Sequence, residues 1–100
     1  VEAMYTMVQQ KEPGDYVICT AIQHSIRELL THAFETAGIT DWEKYIESDP
    51  RFKRPAEVHA LHGSYAKARV ELNWEPKTSF KDMVALMVNE DIKRLSNELR

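Results

Sequence analysis

The residues best suited to chemistry lie in one loop, Asp49–Gly63, which we call the central loop. It carries Arg51, Lys53 and Arg54, followed by Glu57. A guanidinium can bind two phosphate oxygens at once, and a carboxylate can accept hydrogen bonds from neighbouring hydroxyl groups. The spacing is therefore compatible with a ligand that carries a phosphate and neighbouring hydroxyl groups. An ordinary solvated loop is the commoner explanation for such residues.

Two prolines stiffen the central loop. Pro50 and Pro55 fix their own φ angles and push the preceding residue toward an extended backbone. A stiff segment with few hydrogen bonds of its own belongs on the surface. We therefore expect the charged side chains of the loop to face solvent.

The histidines do not form a metal-binding pattern. His59 and His62 lie near Glu57, but residues three apart in an extended stretch diverge in direction. The chain has no cysteine near them and no His-Glu-x-x-His helix. We expect no metal site, and we expect His24 and His32 to be local or surface residues.

The sequence lacks the motifs of a cofactor site or a catalytic centre. Thr20–His24, after a predicted strand, contains no glycine, so a dinucleotide loop is not expected. Tyr65 is followed four residues later by Arg69 rather than lysine, so it does not complete a Tyr-x-x-x-Lys pair. Cys19 lies in an apolar run, which is typical of a buried thiol. We expect no catalytic and no cofactor-binding residue.

Composition excludes several classes of partner. A chain of 100 residues with a net charge of −3 is one small domain or part of a larger one. Its charges are mixed, so neither nucleic acid nor a membrane surface is an expected partner. A single cysteine, without a signal peptide or an apolar span, predicts a reducing, cytoplasmic setting.

Apolar periodicity predicts four helices around the central loop. Ser25 and Glu28 form a capping box for the second helix, which Gly38 ends. Asn73 is expected to stop the third. The four predicted helices are Val1–Gln10, a helix from Ser25 to Gly38, a short one from Ser64 to about Leu72, and one that starts at Ser79 and carries an apolar stripe to Leu99.

One segment, Tyr16–Thr20, is predicted to be a strand because it is β-branched and aromatic. A lone strand needs partners, so we expect its sheet to lie largely outside this chain. The segment 39–48 is compatible with a strand or a helical turn, and Val58–Leu61 with a brief extended stretch. The fold class is thus α/β, mainly helical with one or a few short strands. With no cap before Val1, the chain is expected to be a fragment.

Several blocks resemble one family in order and register. They are His-Ser-Ile-Arg-Glu-Leu at 24–29, Asp-Pro-Arg-Phe-Lys-Arg-Pro-Ala-Glu-Val at 49–58, and Lys-Ala-Arg-Val-Glu-Leu-Asn-Trp-Glu-Pro-Lys-Thr-Ser-Phe at 67–80. Together they resemble the C-terminal part of the GDP-mannose 4,6-dehydratases, in the extended short-chain dehydrogenase/reductase superfamily. The Leu-x-Trp-x-Pro block is shared more widely among nucleotide-sugar enzymes.

The resemblance implies that residues 1–100 are a substrate-binding segment. A Rossmann domain outside this chain would bind NADP and supply the reacting groups. The intact enzyme would be a homo-oligomeric lyase that converts GDP-mannose to GDP-4-keto-6-deoxymannose and water, toward GDP-fucose. By position, Arg54 would bind the diphosphate and Glu57 the ribose hydroxyls.

The chain departs from the family pattern at five positions. Ala21 and Ile22 stand where the resemblance leads us to expect Gly-Glu, and Lys53 replaces an aromatic residue. Ala56 replaces threonine, and Ser64 replaces an aspartate but can still cap a helix. Two other interpretations stay open: the same segment of another nucleotide-sugar dehydratase or epimerase, and a non-catalytic, stand-alone binding or interaction module.

Overall fold

The computed structural model describes every residue from Val1 to Arg100. Its regular elements are four α-helices and two short 3₁₀ helices, and they fall into two compact units. The first unit combines Val1–Gln23 with His59–Lys77, and the second combines His24–Val58 with Thr78–Arg100. The helices are α1 (Glu2–Val8), α2 (Ile26–Thr36), α3 (Ala66–Leu72) and α4 (Phe80–Glu98), with 3₁₀ helices at Trp42–Tyr45 and Pro50–Phe52.

The prediction of one or a few short strands is wrong, because the chain contains no strand or sheet. Tyr16–Thr20, predicted as a strand, and Val58–Leu61 are both irregular. A β-branched run favours extended geometry, but a strand exists only where a second segment accepts and donates its backbone hydrogen bonds. No other part of this chain does so, and the fold is therefore helical.

The first unit is held by the packing of α1 against α3. Its buried side chains are small or aliphatic: Ala3, Ala68 and Leu72. Tyr65, at the start of α3, packs edge-on against Trp74 with the ring centroids 5.9 Å apart. Contact between two helices through alanine lets their backbones approach closely, but it buries little apolar area.

The end of α3 was correctly predicted at Asn73. This residue adopts the left-handed conformation with φ of 54°, and the Trp74 amide donates to the Ala68 carbonyl at 3.2 Å. Asparagine tolerates this conformation better than most side chains. In the same unit, Lys67 connects α3 to a segment distant in sequence. Its Nζ donates to the Asp15 carbonyl at 2.8 Å and lies over the Tyr16 ring.

The second unit is built on the packing of α2 against α4. The predicted capping box of α2 is confirmed: the Glu28 amide donates to Ser25 Oγ at 3.1 Å, and the Ser25 amide donates to Glu28 Oε1 at 3.3 Å. Ser79 Oγ caps α4 by accepting a hydrogen bond from the Asp82 amide at 3.1 Å. These caps are local in sequence, so they fix both helix starts before tertiary packing acts.

Two histidines contact Phe80 at the start of α4. His24 stacks on the Phe80 ring with centroids 3.9 Å apart, and His32 meets its edge at 5.9 Å. His24 Nδ1 also donates to Glu28 Oε2 at 2.8 Å, and this hydrogen bond, with the Ser25 amide, holds the pKa of Glu28 below its usual range. We expected His24 and His32 to be local or surface residues. In the structure both rings also contact Phe80, which is distant in sequence.

The segment 39–48 forms a helical turn rather than a strand. Its 3₁₀ helix, Trp42–Tyr45, packs on α2 through Phe34, which stacks with Trp42 at 5.8 Å and with Tyr45 at 6.2 Å. Arg27 lies over the Trp42 ring and donates to Glu43 at 2.8 Å. Aromatic stacking therefore favours the helical conformation in a segment whose sequence periodicity does not distinguish a strand from a helical turn.

Most apolar side chains remain exposed. On α4 only Val84 is buried, although the sequence predicts a continuous apolar stripe. On α1 the exposed side chains include Met4, Tyr5 and Val8. No helix combines the length and the apolar character needed to cross a bilayer. Large apolar side chains that are exposed together on a helix are typical of a surface that contacts another polypeptide.

Ala21 adopts a left-handed backbone with φ of 62°. This is the position where the family resemblance leads us to expect glycine. A side chain at positive φ costs roughly 1–2 kcal/mol, part of which is offset because glycine loses more entropy on folding.

We therefore expect Ala21→Gly to stabilise the first unit by roughly 1 kcal/mol. Urea unfolding followed by Trp74 fluorescence, in a Trp42→Phe background, measures this change. Ala66→Gly is the matched control: it lies in α3 of the same unit and should destabilise by about 0.5–1 kcal/mol. If both glycines destabilise equally, the strain at Ala21 is not real.

Candidate functional site

The central loop is exposed along almost its entire length. Its side chains from Pro50 to His62 all face solvent, as the two prolines predict. The loop opens with the 3₁₀ helix Pro50–Phe52, capped by Asp49, and bends again at Pro55 and Ala56. The second bend brings Arg54 and Glu57 side by side.

Arg51 forms an ion pair with the carboxylate of Asp49. Its Nε and Nη2 donate to Asp49 at 3.1 and 2.7 Å, and its backbone amide donates to the same side chain at 2.9 Å. The Arg51 side chain, and then its amide, hold the pKa of Asp49 below its usual range, and Asp49 raises the pKa of Arg51. Asp49 therefore serves as a helix cap and an ion-pair partner at once.

Arg54 and Glu57, the two residues predicted to bind substrate, form a two-point ion pair. Arg54 Nε donates to Glu57 Oε2 at 2.8 Å, and Nη2 donates to Oε1. The pair is open to solvent, with 72% of the Arg54 side chain and 44% of the Glu57 side chain exposed. Neither residue is held by a backbone group of another segment.

The two arginines therefore differ in how readily they can meet a ligand. Asp49 also accepts a hydrogen bond from the Arg51 amide and so caps the 3₁₀ helix, which keeps its carboxylate beside the Arg51 guanidinium, whereas the Arg54 pair consists only of side-chain contacts. Exposed ion pairs contribute little to stability. Of the two guanidinium groups, Arg54 is thus the one held by side-chain contacts alone. Lys53, next to it, makes no ion pair.

The histidines of the central loop lie apart from any cluster of metal ligands. His62 Nε2 donates to the Ala21 carbonyl at 2.7 Å, within the first unit, and His59 is exposed. The chain contains no group of three His, Cys, Asp or Glu side chains arranged to hold a metal ion. His62 instead holds the strained Ala21 segment.

The residues present do not fit a dinucleotide cofactor. Such a site needs closely spaced glycines where a strand turns into a helix. The three glycines, Gly14, Gly38 and Gly63, are far apart in sequence, and no strand is present.

Apart from the central loop, one further candidate site is a cavity in the second unit. It is a cavity of about 290 Å³ lined by side chains of α2 and the turn that follows it, and Glu35 is its only charged residue. A carboxylate repels phosphate, so this cavity does not suit a phosphorylated ligand. The lining residues are Thr31, Glu35, Gly38, Ile39, Thr40 and Trp42.

Comparison with known proteins connects the central loop to one enzyme family. The family model described as GDP-mannose 4,6 dehydratase matches residues 1–87, which include the whole central loop. The chain belongs to the GDP-mannose 4,6-dehydratase family. The predicted family resemblance is therefore confirmed.

Relatives with this name come from distant organisms. GDP-mannose 4,6 dehydratase 2 of Arabidopsis thaliana is 42% identical over 98% of this chain and 26% of its own length. GDP-mannose 4,6-dehydratase of Sinorhizobium fredii (strain HH103) is 39% identical over 95% of this chain and 32% of its own length. The human GDP-mannose 4,6 dehydratase is 36% identical over 93% and 29%. The chain thus spans about a quarter to a third of these dehydratases.

Some contacts of this dehydratase segment were not predicted. Glu28 and His32 lie four residues apart on one face of α2, and His24 lies four residues before Glu28, just ahead of the cap; this spacing was available in the sequence. The bonds from Lys67 to Asp15 and from His62 to Ala21 join residues distant in sequence, and no local pattern indicates them.

The lowered pKa of Asp49 predicts a pH dependence. Because the folded value is depressed, the stabilisation from its contact with Arg51 is present above the ordinary aspartate pKa of about 3.9 and is lost as pH falls through the lowered value. Carboxyl carbon NMR should show Asp49 titrating below the ordinary range. In Arg51→Gln its midpoint should return toward that range, and equal midpoints in both proteins would contradict the account.

Proposed function

We propose that the chain is the part of a GDP-mannose 4,6-dehydratase that binds the GDP end of its nucleotide-sugar substrate. In this proposal Arg54 binds the diphosphate and Glu57 accepts hydrogen bonds from the ribose hydroxyls. The supporting observation is that a single exposed bend holds a guanidinium and a carboxylate side by side, with the Nε and Nη2 groups of Arg54 aimed in parallel at an anion.

The chemistry of the two groups suits the two parts of the ligand. The guanidinium fork matches two oxygens of a phosphate, and a carboxylate accepts from both hydroxyls of a cis-diol. Neither group is a proton donor or a nucleophile in this arrangement. Their contribution is to position the substrate, and binding energy far from the reacting atoms can orient the sugar for reaction.

The proposal assigns the reaction itself to the whole enzyme. That reaction is the NADP-dependent conversion of GDP-mannose to GDP-4-keto-6-deoxymannose and water, for which the groups that transfer hydride and eliminate water belong to residues outside this segment. The names of the relatives support this substrate. The lone Cys19 supports a cytoplasmic setting.

The rest of the enzyme is also the partner that we propose for the exposed apolar faces. On α1, Met4 and Val8 are 66% and 76% exposed, and on α4, Leu86 and Met87 are 61% and 59% exposed. Apolar faces of this kind are usually covered by protein. In our proposal a Rossmann domain of the intact enzyme covers them, and the proposal is supported by the fact that the chain spans only a quarter to a third of its relatives.

We expect Arg54→Ala to weaken GDP-mannose binding by about 2 kcal/mol, or roughly 30-fold in Kd, since it removes a charge-assisted contact. Isothermal titration calorimetry measures the change, and circular dichroism verifies that the variant is folded. Arg51→Ala is the matched control, because Arg51 lies in the same loop but is closed on Asp49. Unchanged affinity in a folded Arg54→Ala variant would remove Arg54 from the site.

A further inference from the structure

Glu57 occupies the edge of Arg54 that a phosphate would use. Two carboxylate oxygens receive hydrogen bonds from Nε and Nη2, and two phosphate oxygens bind a guanidinium through the same parallel donors. The carboxylate and an incoming phosphate therefore compete for one binding edge. Binding an anion at this edge requires Glu57 to leave it.

We propose that Glu57 is a selectivity element that excludes simple phosphates from Arg54. A ligand opens the ion pair at low cost only when it provides a partner for both halves, a phosphate for Arg54 and a cis-diol for Glu57. The inference rests on the proposed nucleotide-sugar site. It adds that the ion pair between Arg54 and Glu57 selects among ligands.

Charge explains why a phosphate alone is disfavoured. Free phosphate or pyrophosphate would displace Glu57 and leave its negative charge beside a bound anion, only three residues along the chain. Like charges at short range repel, and the displaced carboxylate would gain no partner but water. A nucleoside diphosphate instead offers two ribose hydroxyls as donors, which replace the two hydrogen bonds that Glu57 gave up.

Exposure explains why the pair can still open. Both side chains are exposed to solvent, where an ion pair is weak and exchanges readily with water. The neighbouring pair does not have this freedom, because Asp49 is only 29% exposed and also accepts from the Arg51 backbone amide. The central loop thus contains one ion pair that can open and one that holds its structure.

The test uses the full chain and four probes: GDP-mannose, GDP, 2′,3′-dideoxy-GDP and inorganic pyrophosphate. Their Kd values are measured by calorimetry for the wild type, Glu57→Gln and Asp49→Asn. In Glu57→Gln we expect pyrophosphate to bind about three- to tenfold more tightly, because a competing charge is removed. The preference for GDP over dideoxy-GDP should shrink by a similar factor, because glutamine accepts hydrogen bonds from the diol less strongly.

Asp49→Asn is the matched control, since it also removes one carboxylate from the loop. It should change the ratio of pyrophosphate to GDP affinity by less than about twofold, and an equal gain in both variants would mean general charge repulsion and overturn the proposal. If the wild type binds GDP-mannose and Glu57→Gln keeps its selectivity, the selectivity role fails while the nucleotide site stands. If the wild type binds no nucleotide, the proposed function fails, and the selectivity role fails with it.

Discussion

An arginine on an exposed loop must satisfy its five donors with water, a ligand or a neighbouring carboxylate, and the central loop is organised by this constraint. Pro55 and Ala56 bend the backbone so that Glu57 meets Arg54. Arg51 likewise pairs with a neighbouring carboxylate, that of Asp49, and the Asp49 side chain also caps a 3₁₀ helix. We propose that this difference lets the loop keep its shape when Arg54 exchanges Glu57 for a ligand.

The helices around this loop give it limited support within the chain. Each unit rests on the contact of two helices, with Ala3, Ala68 and Leu72 buried in one and Val84 in the other. A core of this size supplies little of the apolar burial on which a domain depends. The relatives are three to four times longer, which supports our proposal that further protein contacts the exposed faces of α1 and α4.

Local signals were predictable from the sequence and non-local ones were not. The capping box at Ser25 and the left-handed stop at Asn73 depend on residues a few positions apart, and both were found. The predicted strand at Tyr16–Thr20 is wrong, because strand formation requires a partner segment that a β-branched run does not encode. Arg54 and Glu57 stay a prediction as substrate-binding residues, and the sequence did not indicate that they bind each other, since this depends on the bend at Pro55.

The central claim is that Arg54 exchanges the Glu57 carboxylate for the diphosphate of a nucleotide sugar. The most direct measurement is proton–nitrogen NMR of the arginine Nε–H groups during titration of the chain with GDP-mannose. The account predicts that the Arg54 Nε–H signal and the Glu57 amide shift together and saturate with ligand, while the Arg51 Nε–H signal stays in place. An Arg54 signal that ignores the ligand, or an Arg51 signal that moves instead, would contradict it.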